Sequence, residues 1–218
     1  MPSLGAQIAG YMVLAGAAAA MATGAVGLFG NRLRSVVTGS AILQAGYAAL
    51  AVAGGLLTAD AAGYGAAIFQ AIAGASGVGL MWIAAQALIP HTGDSLPLAD
   101  DASPPAWAIF CLVVACMSLV GLPPMAGLPA KIAVIHASLR EPGVLFLGAL
   151  GAAALGAVSL WAYAGIALPL ITSRVTKEPA AAAIRVRVLV DALVAVLIAL
   201  GLAPHIGFAI GAAFTGGR

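Results

Sequence analysis

The sequence predicts an all-α integral membrane protein with about six transmembrane helices, the fourth of them discontinuous. Three observations carry this expectation. Of the 218 residues, 63% are hydrophobic and 7% are charged, with a mean hydropathy of +1.11. Apolar runs of about 20 residues, enough to span a bilayer, recur along the whole chain. One run is too long for a single span and carries three prolines.

A soluble domain has about a quarter charged residues and could not hide this much apolar surface. The lipid bilayer is therefore the expected solvent for most of the chain. The net charge of +2, with no basic cluster in an aromatic-rich surface, argues against a nucleic-acid partner. Cys111 and Cys116 share one apolar run. They lack Cys-x-x-Cys spacing and a histidine partner, so they read as buried thiols. No metal site and no cofactor are expected.

The first run covers about residues 4–29. Its stretch "YMVLAGAAAAMATGA" has the apolar core and small residues of a signal peptide. Residues 1–10 contain no Lys or Arg, however, so a retained membrane helix is expected. The second run, 36–57, contains Gln44. The third, 62–89, contains Gln70, Gln86 and "GASGVG". Without a soluble strand–turn–helix unit around it, "GASGVG" reads as close helix packing rather than a nucleotide loop. Gly148, Gly151 and Gly156 in the fifth run, 144–171, have the same reading. In the sixth, 188–214, Asp191 lies four residues after Arg187, and the spacing predicts an interfacial salt bridge. His205 follows Pro204 near the outer end. Trp82, Trp107 and Trp161 fit both interface anchors and aromatic helix packing.

The loops sort by charge. The first holds Arg32 and Arg34. The third holds Asp94, Asp100 and Asp101. The fifth holds Arg174, Lys177, Glu178, Arg185 and Arg187. The opposite side shows Asp60, Arg140, Glu141 and Arg218. Lys and Arg favour the odd-numbered loops, which places those loops in the cytoplasm and both termini outside.

The fourth run, 106–139, would reach about 51 Å as one helix, against a hydrocarbon core near 30 Å. Its middle reads "GLPPMAGLPAK". Pro123, Pro124 and Pro129 remove amide donors and clash with the preceding turn, while Gly121 and Gly127 add freedom. A break over 121–129 is predicted. Irregular backbone at membrane depth survives only inside protein or along a hydrated cavity. Lys131 follows the break near mid-membrane. It is either an exchangeable group facing a cavity or a lysine snorkelling to the interface, and the adjacent break favours exchange. His136, five residues on, fits both a proton relay and a neutral histidine near the headgroups.

These residues resemble a known family. "SLVGLPPMAGLPAKIAVI" resembles the broken-helix lysine motif of the antiporter-like subunits of respiratory complex I, most closely subunit N. Related subunits occur in Mrp-type sodium/proton antiporters and membrane-bound hydrogenases. "RLRSVVTGSAILQAGYAALAV" resembles the family's segment ending in His-x-Gly-Tyr, and "GYGAAIFQAIAGASGVGLM" falls where the family has a Tyr-rich helix. Order and spacing agree from about residue 33 to 214.

The resemblance implies two inverted five-helix repeats in full-length members, each with a broken helix, and a mid-membrane polar axis. The family's second broken-helix lysine corresponds to Lys131. Its histidine corresponds to Gln44, beside Gly46 and Tyr47, so Gln44 and Tyr47 would line the axis. Gly121, Pro123, Pro124, Gly127 and Pro129 would form the break. Here the family's first repeat has no counterpart and the histidine is a glutamine. On this reading residues 1–32 are an extra helix and 33–172 a half repeat. Residues 173–218 are a cytoplasmic loop and a C-terminal helix.

The expected role is that of a membrane subunit in a proton- or sodium-translocating complex of the bacterial cytoplasmic membrane, with other membrane subunits as partners. A catalytic site of its own is not expected. The alternative is a degenerate, non-conducting scaffold. A dual-topology homodimer is disfavoured by the charge bias.

Overall fold

A computed structural model describes residues 2–96, 104–139, 143–173 and 184–214. The protein is an all-α membrane protein. Its helices are α1 (Leu4–Leu28), α2 (Leu33–Thr58), α3 (Ala61–Thr92), α4 (Ala106–Val120), α5 (Gly127–Ser138), α6 (Val144–Thr172), α7 (Ile184–Leu202) and α8 (Pro204–Phe214). Among the described residues the extended pairing is a single bridge between Arg32 and Ser95.

Four helices, α1, α2, α3 and α6, are each long and apolar enough to cross a membrane. The two remaining apolar runs differ from single straight spans. The fourth is interrupted between Val120 and Gly127, which leaves two short helices. The sixth is bent by 98° between α7 and α8, where the apolar run 188–214 predicts one continuous span. Pro204 explains the bend, since its ring cannot continue the preceding helix but suits the first position of a new one.

α2 forms the centre of the bundle. About 61% of its span is buried, against 28% in α1 and 22% in α6, which therefore sit at the periphery. α1 and α2 approach until their backbones touch. A Cβ on Gly39 would come within 2.6 Å of the Gly27 carbonyl carbon. Such proximity suits helices that gain no hydrophobic drive from lipid and depend on close packing. Gly74 and Gly77 of α3 likewise face Gln44 and Leu119, whereas Gly151 of α6 meets nothing within 4 Å. Cys111 and Cys116 are free, buried thiols. Trp82 and Trp161 stand exposed on the outer surface, so they do not pack inside the bundle.

The first and third loops meet on one side, as the alternating topology requires. Asp94 caps the start of α2. Its carbonyl accepts from the Leu33 amide at 2.8 Å, and its Oδ1 accepts from the Arg34 amide at 3.1 Å. A carboxylate there satisfies orphan donors and complements the positive helix end. The Arg34 side chain adds an ion pair at 4.0 Å. The expected pairing of Arg187 with Asp191 is not formed. Both are exposed on α7, and among the described residues no ion pair joins them. Asp100, Asp101, Arg140, Glu141, Arg174, Lys177, Glu178 and Arg218 lie outside the described residues, as does the Arg185 side chain.

Replacing Asp94 by Ala should lower unfolding stability by about 1 kcal/mol, the usual value of a helix cap. Denaturant titration of the detergent-solubilised protein measures this. Asp94→Asn should retain most of the stability, because its side-chain oxygen can still accept.

Candidate functional site

The site begins with how α4 stops. Gly121 adopts a left-handed conformation at φ 94°, which an L side chain rarely takes. Its amide bonds the Ser118 carbonyl at 3.0 Å, and the Leu122 amide bonds the Met117 carbonyl at 2.8 Å. This Schellman-type ending closes two of the last four carbonyls of α4 and leaves those of Leu119 and Val120 open.

Lys131 fills that gap. It sits one turn into α5, 7% exposed, and its Nζ donates to the Leu119 carbonyl at 2.5 Å and the Val120 carbonyl at 2.9 Å. The remaining face of the ammonium lies 4.9 Å from the centroid of the Tyr47 ring. Carbonyls at a helix C-terminus carry partial negative charge, and an aromatic face attracts cations. Among the described residues no carboxylate pairs with Lys131. The magnitudes close without one. A lysine at a membrane helix centre costs about 2.5–3.5 kcal/mol on insertion scales. Two hydrogen bonds from a charged donor contribute about 1.5–3 kcal/mol each.

Two glutamines extend the polar cluster. Gln44 Nε2 donates to the same Leu119 carbonyl at 3.4 Å, and Gln70 Nε2 donates to Gln44 Oε1 at 2.7 Å. Tyr47 is pinned from behind, because its hydroxyl donates to the Ala152 carbonyl on α6 at 2.8 Å. Among the described residues, the buried Gln70 Oε1 and Ser118 Oγ have no hydrogen-bond partner. A second buried pair, Tyr163 hydroxyl to Ser40 Oγ at 2.8 Å, ties α6 to α2.

The break itself spans 121–126, which is narrower than the 121–129 expected. Gly127 and Pro129 belong to the first turn of α5. A proline is tolerated there, since the first amides of a helix have no intrahelical partner. Every amide in the break is accounted for. Gly121 and Leu122 bond α4, Pro123 and Pro124 have none, Met125 bonds the Leu122 carbonyl, and Ala126 donates to the Leu197 carbonyl of α7 at 2.8 Å. Two glycines make these contacts possible. A Cβ on Gly127 would overlap the Ser118 carbonyl oxygen, and one on Gly201 of α7 would overlap that of Pro124.

Of the residues expected at the site, Lys131, Gln44 and Tyr47 come together, beside the break formed by Gly121, Pro123 and Pro124. His136 does not join them. Five residues beyond Lys131 it has turned to the exposed face of α5. A hydrogen-bonded relay from Lys131 to His136 is therefore not formed in this structure. Two participants were not expected. Leu197 acts through its backbone carbonyl, which no side-chain pattern reveals. Gly201 is one of many small residues in its run.

No protein-family model matches the sequence, and no curated protein matches it. Solved structures do. A chain of the Mrp complex from Dietzia sp. DQ12-45-1b is similar with a TM-score of 0.76 and 18% identity, covering 95% of this chain and 47% of that one. A chain of respiratory complex I from Thermus thermophilus with bound NADH gives 0.67 and 20%, covering 97% and 45%. A chain of the same complex with bound aureothin gives 0.62 and 22%, covering 92% and 44%. The chain thus spans a little under half the length of the solved chains it matches. These likenesses establish the fold.

Gly201→Leu should push the break off α7 and cost about 1–3 kcal/mol, the usual penalty for overpacking. Gly151→Leu, placed where nothing lies within 4 Å, should leave stability unchanged. Thermal unfolding in one detergent compares the two.

Proposed function

We propose that this chain is a membrane subunit of a proton- or sodium-translocating complex of the respiratory complex I or Mrp type. One observation carries the reading: a buried lysine without a carboxylate partner among the described residues, held by the open carbonyls of an interrupted helix. Buried intramembrane charges mark ion pathways by default. Discontinuous helices whose ends face the binding group recur in ion-coupled transporters. The likeness in fold to chains of the Mrp complex and complex I supports the same reading.

On this reading α4 and α5 together form one broken span, and residues 33–172 form a half repeat preceded by the extra helix 1–32. Lys131 is the exchangeable group. Gaining a proton creates an ammonium that three acceptors can hold, two carbonyls and the Tyr47 ring. Losing it leaves a neutral amine whose two remaining N–H groups can still donate to those carbonyls, but without the charge that strengthens the bonds. Other membrane subunits supply the rest of the path. The chain sits in the bacterial cytoplasmic membrane, with the Arg32 loop on the cytoplasmic side and both termini outside, the arrangement the charge bias favours. The broken-helix motif around Lys131 resembles that of subunit N, which favours that subunit as the counterpart.

A second reading has its own support. The polar groups beyond Lys131 are the carboxamides of Gln44 and Gln70, which do not titrate, and His136 faces away. A scaffold subunit that conducts nothing would look the same.

Lys131→Met in the native complex separates the two readings, after assembly has been verified. Ion pumping by inverted vesicles should fall to background if Lys131 carries the ion. Pumping at the unaltered rate would leave the scaffold reading in place.

A further inference from the structure

We propose that the groove between α4 and α7 binds one phospholipid of the phosphatidylethanolamine type. Its phosphate meets Arg187, its ammonium meets Asp191, and one acyl chain runs along the groove. The proposal needs only the membrane fold and stands apart from any role in ion movement.

The groove has a volume of about 520 Å³. Trp107 and Phe110 of α4 form one wall, and Val190, Val194 and Ile198 of α7 form the other. The α7 lining falls at 187, 190, 191, 194 and 198, the spacing of one helix face. From Arg187 to Ile198 that face rises about 16 Å, against about 15 Å for half the hydrocarbon core of a bilayer. The groove therefore has the length of one leaflet. Its outer end is also identifiable. Trp107 and Arg187 stand at the starts of α4 and α7, which follow the third and fifth loops on one side of the membrane. Trp and Arg are side chains that settle at headgroup level. Its width favours a hydrocarbon chain. A volume of 520 Å³ spread over about 16 Å gives a section near 32 Å², whereas a helix about 10 Å across has a section of about 80 Å² and can only lie over the mouth.

An apolar groove alone would not define a site. The second observation is the pair of opposite charges on its wall. Arg187 and Asp191 both line the groove and are exposed, and neither forms an ion pair among the described residues. In water such a pair gains little by closing. Here Asp191 lies five residues inside the apolar segment Val186–Leu202, about 7.5 Å from its edge, where an unpaired charge is costly. A phosphodiester offers the Arg187 guanidinium two charge-assisted hydrogen bonds. Asp191 then selects the rest of the headgroup. Positions four apart on a helix have Cβ atoms about 5–6 Å apart, which suits a phosphate and an amine separated by two carbons. A primary ammonium donates to the carboxylate. A choline headgroup has no N–H to donate, and a glycerol headgroup leaves the carboxylate beside uncompensated negative charge.

The test uses Trp107 as a reporter of the groove. Trp82→Phe and Trp161→Phe, at two exposed positions, leave Trp107 as the single tryptophan. The full chain is reconstituted in phosphatidylcholine bilayers. Phosphatidylethanolamine, phosphatidylglycerol or phosphatidylcholine with brominated acyl chains is then titrated in as a quencher. Half-quenching should need about tenfold less of the ethanolamine lipid than of the choline lipid, the effect of one charge-assisted hydrogen bond. The glycerol lipid should do no better than the choline lipid. Asp191→Leu should abolish the preference for ethanolamine. With Trp161 on α6 as the single tryptophan instead, the three lipids should quench alike.

Four results would overturn the proposal. They are equal quenching of Trp107 by all three lipids, stronger quenching by phosphatidylglycerol, no quenching by any lipid, and a preference that survives Asp191→Leu. If a substituted chain fails to accumulate, native mass spectrometry of the unaltered chain makes the same comparison. One retained ethanolamine lipid supports the proposal, and none, or a retained phosphatidylglycerol, overturns it. None of these readouts depends on ion movement, so failure of this site and the outcome of Lys131→Met are read independently.

Discussion

The rest of the structure depends on the pairing of a lysine ammonium with the open end of a helix. α4 stops inside apolar surroundings because Gly121 turns the chain and Pro123 and Pro124 cannot continue it. Stopping a helix there exposes carbonyls that lipid cannot satisfy. Burying a lysine there exposes an ammonium with the same problem. Each defect is the remedy for the other. The Leu119 and Val120 carbonyls take the ammonium, and the ammonium takes the end of α4. This mutual dependence explains why the break and the lysine stand so close in sequence.

The other elements hold that pairing in place. α2 supplies Tyr47 as an aromatic wall and Gln44 as a second donor to Leu119, and α6 pins Tyr47 through the Ala152 carbonyl. α7 accepts the Ala126 amide through the Leu197 carbonyl, and Gly201 leaves room for the break. The bend at Pro204 then turns α8 under α3, where Phe208 meets Phe69 edge to face at 5.3 Å. In this frame the Lys131 ammonium is fixed in position and bonded only to neutral acceptors among the described residues. A fixed carboxylate would trap an ammonium more firmly than two carbonyls do.

Much of this was legible in the sequence, because membrane burial leaves few ways to read a proline pair or a lone lysine. The apolar runs gave α1, α2, α3 and α6, and "GLPPMAGLPAK" gave the interruption. Gln44 and Tyr47 were expected beside Lys131, and the structure brings them there. The failures have physical causes. Pro129 looks like part of the break, but a proline in the first turn of a helix breaks nothing. His136 fits both a relay and a histidine apart from Lys131, and five residues of helix turn it to the exposed face. Arg187 and Asp191 have pairing spacing and still stand apart, since exposed pairs gain little from closing. The contact with the Leu197 carbonyl leaves no trace in side-chain chemistry.

The most direct test is an experimental structure of the native membrane complex at a resolution that places the Lys131 ammonium. The account predicts Nζ within hydrogen-bond distance of both the Leu119 and Val120 carbonyls, over the Tyr47 ring. A lysine turned toward the headgroups, or paired with a carboxylate of a neighbouring chain, would contradict it.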